Sequence, residues 1–425
     1  MSPAFPAAWL LFGLSFAMAA AHFLSLSWPR LATVAVYSIP LGLCLLILRN
    51  RNGLRTKLNL IDAVFAVIIL VVLISATIFP GPDEHGAVWQ YLRYLPFLMI
   101  TPYVLGRLMS FKDLELFSRI TLFAGLALLP LLALDRLIVV DRAWRLPVFG
   151  LDHGPLLVGG LLAAMLLVLC TRALSSFDSV RKTAQLKMYV ELGLIGCVTV
   201  VLVWLKARGW LLAGLAGVAV VCMVMSSRSP AVRGGLAAYV FAIATIALLI
   251  LPQSSFYAAI LTAPAPAPTP ITEFCPVLGD ASCQPFRDGV DSVAMRWVMY
   301  REAVALFMQN PIWGVGAARF GDCSCTGSGW YPHNTILQGF AELGFIGGGL
   351  QLGLFVLAAV VLLRPFMSAR QDGSGGTYAF VLALFAMFLV SDQFYGTYFM
   401  TAGTWLMIGI AASLRSKANE GSSRA

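Results

Sequence analysis

The feature that most constrains this chain is the recurrence, from one end to the other, of apolar stretches close to the length that crosses a lipid bilayer. Residues 59–79, 116–135, 188–205 and 334–363 are examples, separated by short charged or Pro- and Gly-containing breaks. About 20 apolar residues in a helix cover the hydrocarbon core. These runs do not alternate in the way that barrel strands do. Charged residues make up only 12% of the 425 residues, and hydrophobic ones 59%, whereas soluble domains carry roughly 25% charged residues. That leaves too little polar surface to face water. The expected fold class is an all-α polytopic membrane protein.

Apolar runs bounded by charge, Pro and Gly predict about 12 transmembrane helices. They lie near 7–27, 31–48, 59–79, 89–108, 116–135, 154–171, 188–205, 209–226, 235–251, 334–363, 377–391 and 398–414. The first run has no basic segment before it and a second apolar run follows at once, so it reads as a retained span, not a cleaved signal. With both termini in the cytoplasm, the inside loops carry Arg49, Arg51, Arg55 and Lys57, then Arg172, Arg181, Lys182 and Lys187. That bias follows the positive-inside rule. The expected organisation is nine helices over 1–251, a large outer loop over 252–333, three helices over 334–414 and a cytoplasmic tail over 415–425. These loops account for the net charge of +9. No run of Lys and Arg is interleaved with exposed aromatics, so membrane lipids are the expected partners and nucleic acid is not.

Cations on the outer side work against the topology signal and are therefore informative. Arg30, Arg142 and Arg287 read as solvated charges. Lys206 and Arg208 differ, because "WLKARGW" is a turn of a few residues between two long apolar runs. Two cations at so tight a membrane corner need an anionic partner, from lipid headgroups or from a substrate. A transporter or flippase is the rival reading from another class. It would place charges along a path through several spans and often show internal repeats; the runs here are almost charge-free, and no repeat is evident.

The outer loop opens with the extended Pro-rich "TAPAPAPTP", which cannot be helical. The later stretch "DSVAMRWVMYREAVALFMQNP" reads as a helix capped by Asp291 or Ser292 and ended by Pro311. A Gly-rich segment then leads to the next span. Cys44, Cys170, Cys197 and Cys222 fall in apolar runs as small buried residues, whereas Cys275, Cys283, Cys323 and Cys325 all fall in the loop. In an oxidising compartment disulfides are expected, most simply tying 275 and 283 to the 323–325 turn. A zinc site is the alternative, although the spacing matches no common finger.

At the mouth of the tenth run stands "YPHNTILQGFAELGFIGGG". Asn334 suits a helix N-cap, which puts His333 at the membrane surface beside a helix N-terminus whose dipole favours anions. His153, in "GLDHGP", occupies a similar outer entrance and is a second candidate for the same cavity. His22 reads as packing and His85 as solvated. Glu342 follows His333 by nine residues, about 13 Å along a regular helix. A carboxylate in an apolar run is costly, so it is expected to pair with a basic residue or to support a polar network beneath the site.

These residues carry a resemblance. "RWVMYREAVALFMQNPIWGVGAARF" followed by "HNTILQGFAELGFIGG" resembles the signature of the O-antigen ligase and O-antigen polymerase superfamily. The resemblance implies a GT-C-like membrane fold in the bacterial inner membrane with its site on the periplasmic face. It also implies inverting transfer of a glycan from undecaprenyl pyrophosphate to a hydroxyl, without metal or other cofactor. The acceptor is lipid A–core in a ligase, the preferred reading, or a growing glycan in a polymerase. By position, Arg208 and Arg296 correspond to the family's pyrophosphate-binding arginines, with Lys206 and Arg301 beside them, and His333 to its catalytic histidine, supported by Asn334, Glu342 and His153. Preorganised arginines suit a leaving pyrophosphate, and an imidazole suits deprotonation of an acceptor hydroxyl. No Asp-x-Asp stretch is present, in keeping with a metal-free mechanism.

Overall fold

The computed structural model describes residues 58–79, 95–138, 154–176, 182–205, 208–225, 230–250, 292–321, 323, 331–369, 375–395 and 401–422. Among these residues there are helices and turns but no strand. In chain order the helices are α1 (Leu60–Ile78), a five-residue π-helical turn (Pro96–Ile100) running into α2 (Thr101–Leu108), α3 (Phe111–Ile138), α4 (Gly154–Ser176), α5 (Lys182–Trp204) and α6 (Arg208–Val224). They continue with α7 (Pro230–Ile250), α8 (Ser292–Gln309), α9 (Thr335–Ala369), α10 (Gly375–Ser391) and α11 (Ala402–Ser422). The expected runs at 7–27 and 31–48 lie outside the described residues, as does the loop from 251 to 291.

Among the described residues, five helical stretches are long and apolar enough to cross a membrane: Leu60–Ile78, Lys112–Ala133, Val158–Ser176, Gln185–Trp204 and Thr335–Arg364. The apolar parts of α2, α6, α7, α10 and α11 are shorter. Apolar residues point outwards as well as inwards, as on a bundle solvated by lipid. Phe123, Val200, Met223 and Val356 are exposed while Trp405, Phe380 and Phe385 are fully buried.

Local chemistry sets the helix ends. Asn59 caps α1 by accepting from the Ile61 and Asp62 amides, while Asp62 accepts from the Asn59 amide at 2.9 Å, closing a capping box. Helices α2 and α11 cross through glycines. A Cβ on Gly106 would lie 2.0 Å from the Leu406 carbonyl oxygen, and one on Gly409 would lie 2.0 Å from that of Tyr103. Such contact between backbones is how membrane helices gain packing energy without a hydrophobic driving force.

One end of the bundle is tied by polar contacts. Arg107 Nε sits 3.0 Å from Asp62 Oδ1, and the Tyr103 hydroxyl donates to the same carboxylate. Asn59 Nδ2 donates to the Ala412 carbonyl at 2.9 Å, and Ser413 Oγ donates to that of Met109 at 3.0 Å. Helix α1 runs from this end to Ser75 near the other, and α11 returns from Thr404 to Ala412. The candidate site lies at the far end.

The sequence reading treats 334–363 as one regular span. Helix α9 is instead broken at Gly344, with φ 64° and ψ −163°. The part from Phe345 to Ala369 is by itself long enough to cross a bilayer, about 37 Å at 1.5 Å per residue. The short first part is thereby released to build the site.

Candidate functional site

The base of the site is the break in α9. A helix interrupted at Gly344 leaves carbonyls and amides without their i→i−4 partners, and the chain leaving α8 supplies them. Val315 and Gly316 amides donate to the carbonyls of Ala341 (3.0 Å) and Glu342 (2.9 Å), and the Phe345 amide donates to that of Pro311 (2.7 Å). The backbones approach so closely that a Cβ on Gly344 would lie 2.2 Å from the Ile312 carbonyl oxygen, and one on Gly314 would lie 2.3 Å from the Glu342 carbonyl carbon. Both glycines also have positive φ, which side chains rarely tolerate. The glycines of "NPIWGVG" and "AELG" therefore dock the loop onto the helix.

Glu342 completes this lock. Its carboxylate, 1% exposed, accepts from the amides of Ala318 (2.6 Å) and Phe320 (3.2 Å) and from Gln338 Nε2 (3.0 Å). Ala318 has φ 60°, so the carboxylate fills a concavity of amides. These contacts form a polar network around the Glu342 carboxylate. The Ala317 amide donates to Ser75 Oγ at 2.9 Å, fastening the segment to the end of α1. Cys323 is buried and disulfide-bonded. Cys275, Cys283 and Cys325 lie outside the described residues.

Above the lock stands the mouth of α9. Asn334 Oδ1 accepts from the Leu337 amide at 2.9 Å, the N-cap its position suggested. His333 precedes it in the left-handed region, φ 53°, with its half-buried ring 4.3 Å from that of Tyr331. The Thr335 amide donates to the Asp392 carbonyl. Gln393 Nε2 donates to Thr335 Oγ1 (3.2 Å) and to the Leu389 carbonyl (2.8 Å), and the Tyr300 hydroxyl donates to the Gln393 carbonyl (2.9 Å). The turn from Asp392 to Tyr395, which follows α10, thus joins the start of α9 to α8.

Arg296 enters from α8. Its guanidinium lies 5.7 Å from the centre of the Tyr395 ring, an attractive cation–π arrangement. No carboxylate pairs with it among the described residues. The Tyr395 hydroxyl accepts from the Gly209 amide at 2.9 Å, and its ring stacks 6.1 Å from Trp210. Tyr395 therefore links Arg296 to the first turn of α6, which Arg208 opens. Burial raises the phenol pKa values of Tyr300 and Tyr331, and the nearby Arg296 charge opposes both shifts. Asp392, in the turn beyond the α10 span, is buried. Burial pushes its carboxyl up to about 7, against hydrogen bonds from Thr404 and Ser391.

The structure thus gathers Arg296, His333, Asn334 and the helix end at Arg208 at one mouth. Arg301 is exposed on a different face of α8 and is not brought to Arg296. Lys206 and His153 lie outside the described residues. Sequence reading missed Tyr300, Tyr331, Asp392, Gln393 and Tyr395. A usable signal was "SDQFYGTY", where polar and aromatic residues interrupt two apolar runs. Gln393 Oε1 and Trp210 Nε1 are buried there without a hydrogen-bond partner among the described residues, as in a site built to receive polar groups. Chemically, the arrangement offers a fixed cation, the positive end of a helix and an imidazole.

No curated protein matches the chain. Residues 188–352, from α5 through both α6 and α8 to the broken α9, match the family model described as O-antigen ligase. Arg208, Arg296, His333 and the glycine lock all fall within the matched region. Over this stretch the chain carries an O-antigen ligase domain, which supports its resemblance to the O-antigen ligase and polymerase superfamily.

Proposed function

We propose that the protein is a glycan transferase of the bacterial inner membrane. It takes a glycan from undecaprenyl pyrophosphate at the periplasmic face and joins it to a hydroxyl of lipid A–core. The observation that carries this reading is the convergence of Arg296, His333 and the first turn of α6 around Tyr395.

The acceptor hydroxyl oxygen attacks the anomeric carbon of the donor sugar, with inversion, as that carbon's bond to the pyrophosphate oxygen breaks. The electron pair leaves with the lipid pyrophosphate, whose growing charge is met by Arg296, by Arg208 with Lys206 beside it and by the helix N-terminus. His333 takes the proton from the acceptor hydroxyl. Tyr395 holds the two cationic elements at a fixed separation, so less reorganisation is needed as charge develops. Asn334 and Glu342 support His333 indirectly, by capping α9 and by locking the segment beneath it.

The test supplies purified lipid-linked glycan with and without lipid A–core to the protein in vesicles. Transfer to the core is the expected result. A ladder of longer lipid-linked chains would make the protein a polymerase using the same donor and site, and no transfer in either arm would overturn the reading.

A further inference from the structure

Helix α8 has three sides. Met299, Ala303 and Leu306 are buried against the protein, and Arg296 and Tyr300 face the site. The third side carries Trp297, Val304 and Met308, which are 61%, 48% and 71% exposed. At 100° per residue these three and the exposed Arg301 fall within about 60° of arc, about 90° round from Arg296 and Tyr300. The surface continues past the helix end through Ile312 and Trp313, both more than half exposed. The Phe345 amide bonds to the Pro311 carbonyl, so this surface runs into exposed Phe345 and, beyond it, Val356 and Val360 on α9. Helix α9 is a membrane-crossing candidate. Exposed apolar residues therefore extend from a span, with Arg301 among them, onto a helix too polar to be one.

We infer that this side of α8 is a lipid-contact surface. The helix lies in the interfacial layer of the leaflet on the site's side, as a continuation of the lipid-facing surface of α9. Trp297 and Trp313 take the headgroup level that tryptophan favours, while Val304 and Met308 meet the acyl boundary. Arg301, placed among them on the same face, reaches a phospholipid phosphate with its stem laid along the apolar surface. One helix thus presents one side to lipid and the adjacent side to the site. A lipid-borne pyrophosphate moving within the leaflet would meet Arg296 without leaving headgroup depth. That last step rests on the proposed transfer reaction, whereas the lipid contact does not.

The experiment places a photoreactive benzoylphenylalanine at Val304, Met308 or Phe345 of the full chain, reconstituted in vesicles of phosphatidylethanolamine and phosphatidylglycerol. After irradiation the protein is weighed. Phospholipid adducts at 304 and 308, within about threefold of the yield at 345, are expected of an interfacial helix. Adducts at 345 alone would put α8 in water, and cross-links from 304 or 308 to another protein would make the surface a protein interface; either overturns the inference. Arg301→Glu should lower the lipid yield at 308 by about threefold or more, and Arg301→Lys should keep it; equal yields would remove the headgroup contact. Met308→Asp, at a position that can be charged without disturbing the core, should raise KM for the lipid-linked donor about fivefold with kcat within twofold. A loss confined to kcat would overturn the lateral route. A wild-type protein inactive on this donor would instead remove the transfer reading, leaving the adducts to decide the lipid contact.

Discussion

Arg107 and Arg296 sit at opposite ends of the bundle and are held in opposite ways. Arg107 is bound to Asp62, the two side chains being 10% and 9% exposed, and that carboxylate is also claimed by Tyr103 and by the α1 cap. Its charge is cancelled within the fold. Arg296 lies over the ring of Tyr395, which attracts a cation without neutralising it. Its guanidinium edge keeps the donors that could take an oxyanion. An arginine paired with a carboxylate fastens helices, and one held by an aromatic face remains available to bind.

The largest expected effect is at the binding end. His333→Ala should lower glycan transfer by about 10²- to 10⁴-fold, with protein level and membrane insertion unchanged; full activity would take the histidine out of the chemistry. The two arginines should then separate. Arg107→Ala strands Asp62 and should cost about 3–5 kcal/mol of thermal stability while leaving donor affinity alone. Arg296→Ala should keep stability within about 0.5 kcal/mol and weaken binding of the lipid pyrophosphate at least about tenfold. Similar melting curves for the two variants would break the comparison. Arg208→Ala should resemble Arg296→Ala.

Gly344→Ala probes the lock under the site. A side chain there meets the Ile312 carbonyl and an unfavourable φ, so a loss of about 2–4 kcal/mol is expected; a variant as stable as the wild type would refute the docking role.

Asp392 tests pH dependence. Its carboxyl titrates at about 7 in the fold and near 3.9 in an unfolded chain, so the folded state holds the extra proton between these values. Stability is therefore greatest below about pH 4, falls as pH rises through 7 and levels off above. Asp392→Asn should match the wild type near pH 4 and exceed it by on the order of 4 kcal/mol above pH 7. Melting curves that run parallel at every pH would remove the buried titration.

The smallest effect is expected from Tyr395→Phe, which keeps the ring beneath Arg296 and loses the bond from the Gly209 amide. A rise of about fivefold in donor KM, near 1 kcal/mol, is expected, and Tyr395→Leu should do more because it also removes the ring. If both behave as wild type, the link between α6 and α8 carries no function.

Much of this architecture was legible beforehand for physical reasons. The end of α8 follows from Pro311 and the start of α9 from Asn334, because ring closure and capping act within a turn of the residue concerned. Arg208 and His333 stood out as polar groups at the edges of apolar runs, and Arg296 through the family resemblance. Tyr395 and Gln393 did not, since their roles depend on Gly209 and Thr335, which are 186 and 58 positions away. Gly344 also hid its role. A glycine in an apolar helix promises close packing, and nothing local says that the ladder breaks there.

The sequence by itself determined a helical chain with membrane-length apolar runs and marked the residues whose chemistry suits anion binding and proton transfer, since hydropathy, caps and residue chemistry are local properties. Only the tertiary structure decided which arginine is neutralised and which is kept available, because that choice depends on whether a carboxylate or an aromatic ring from a distant helix arrives beside it.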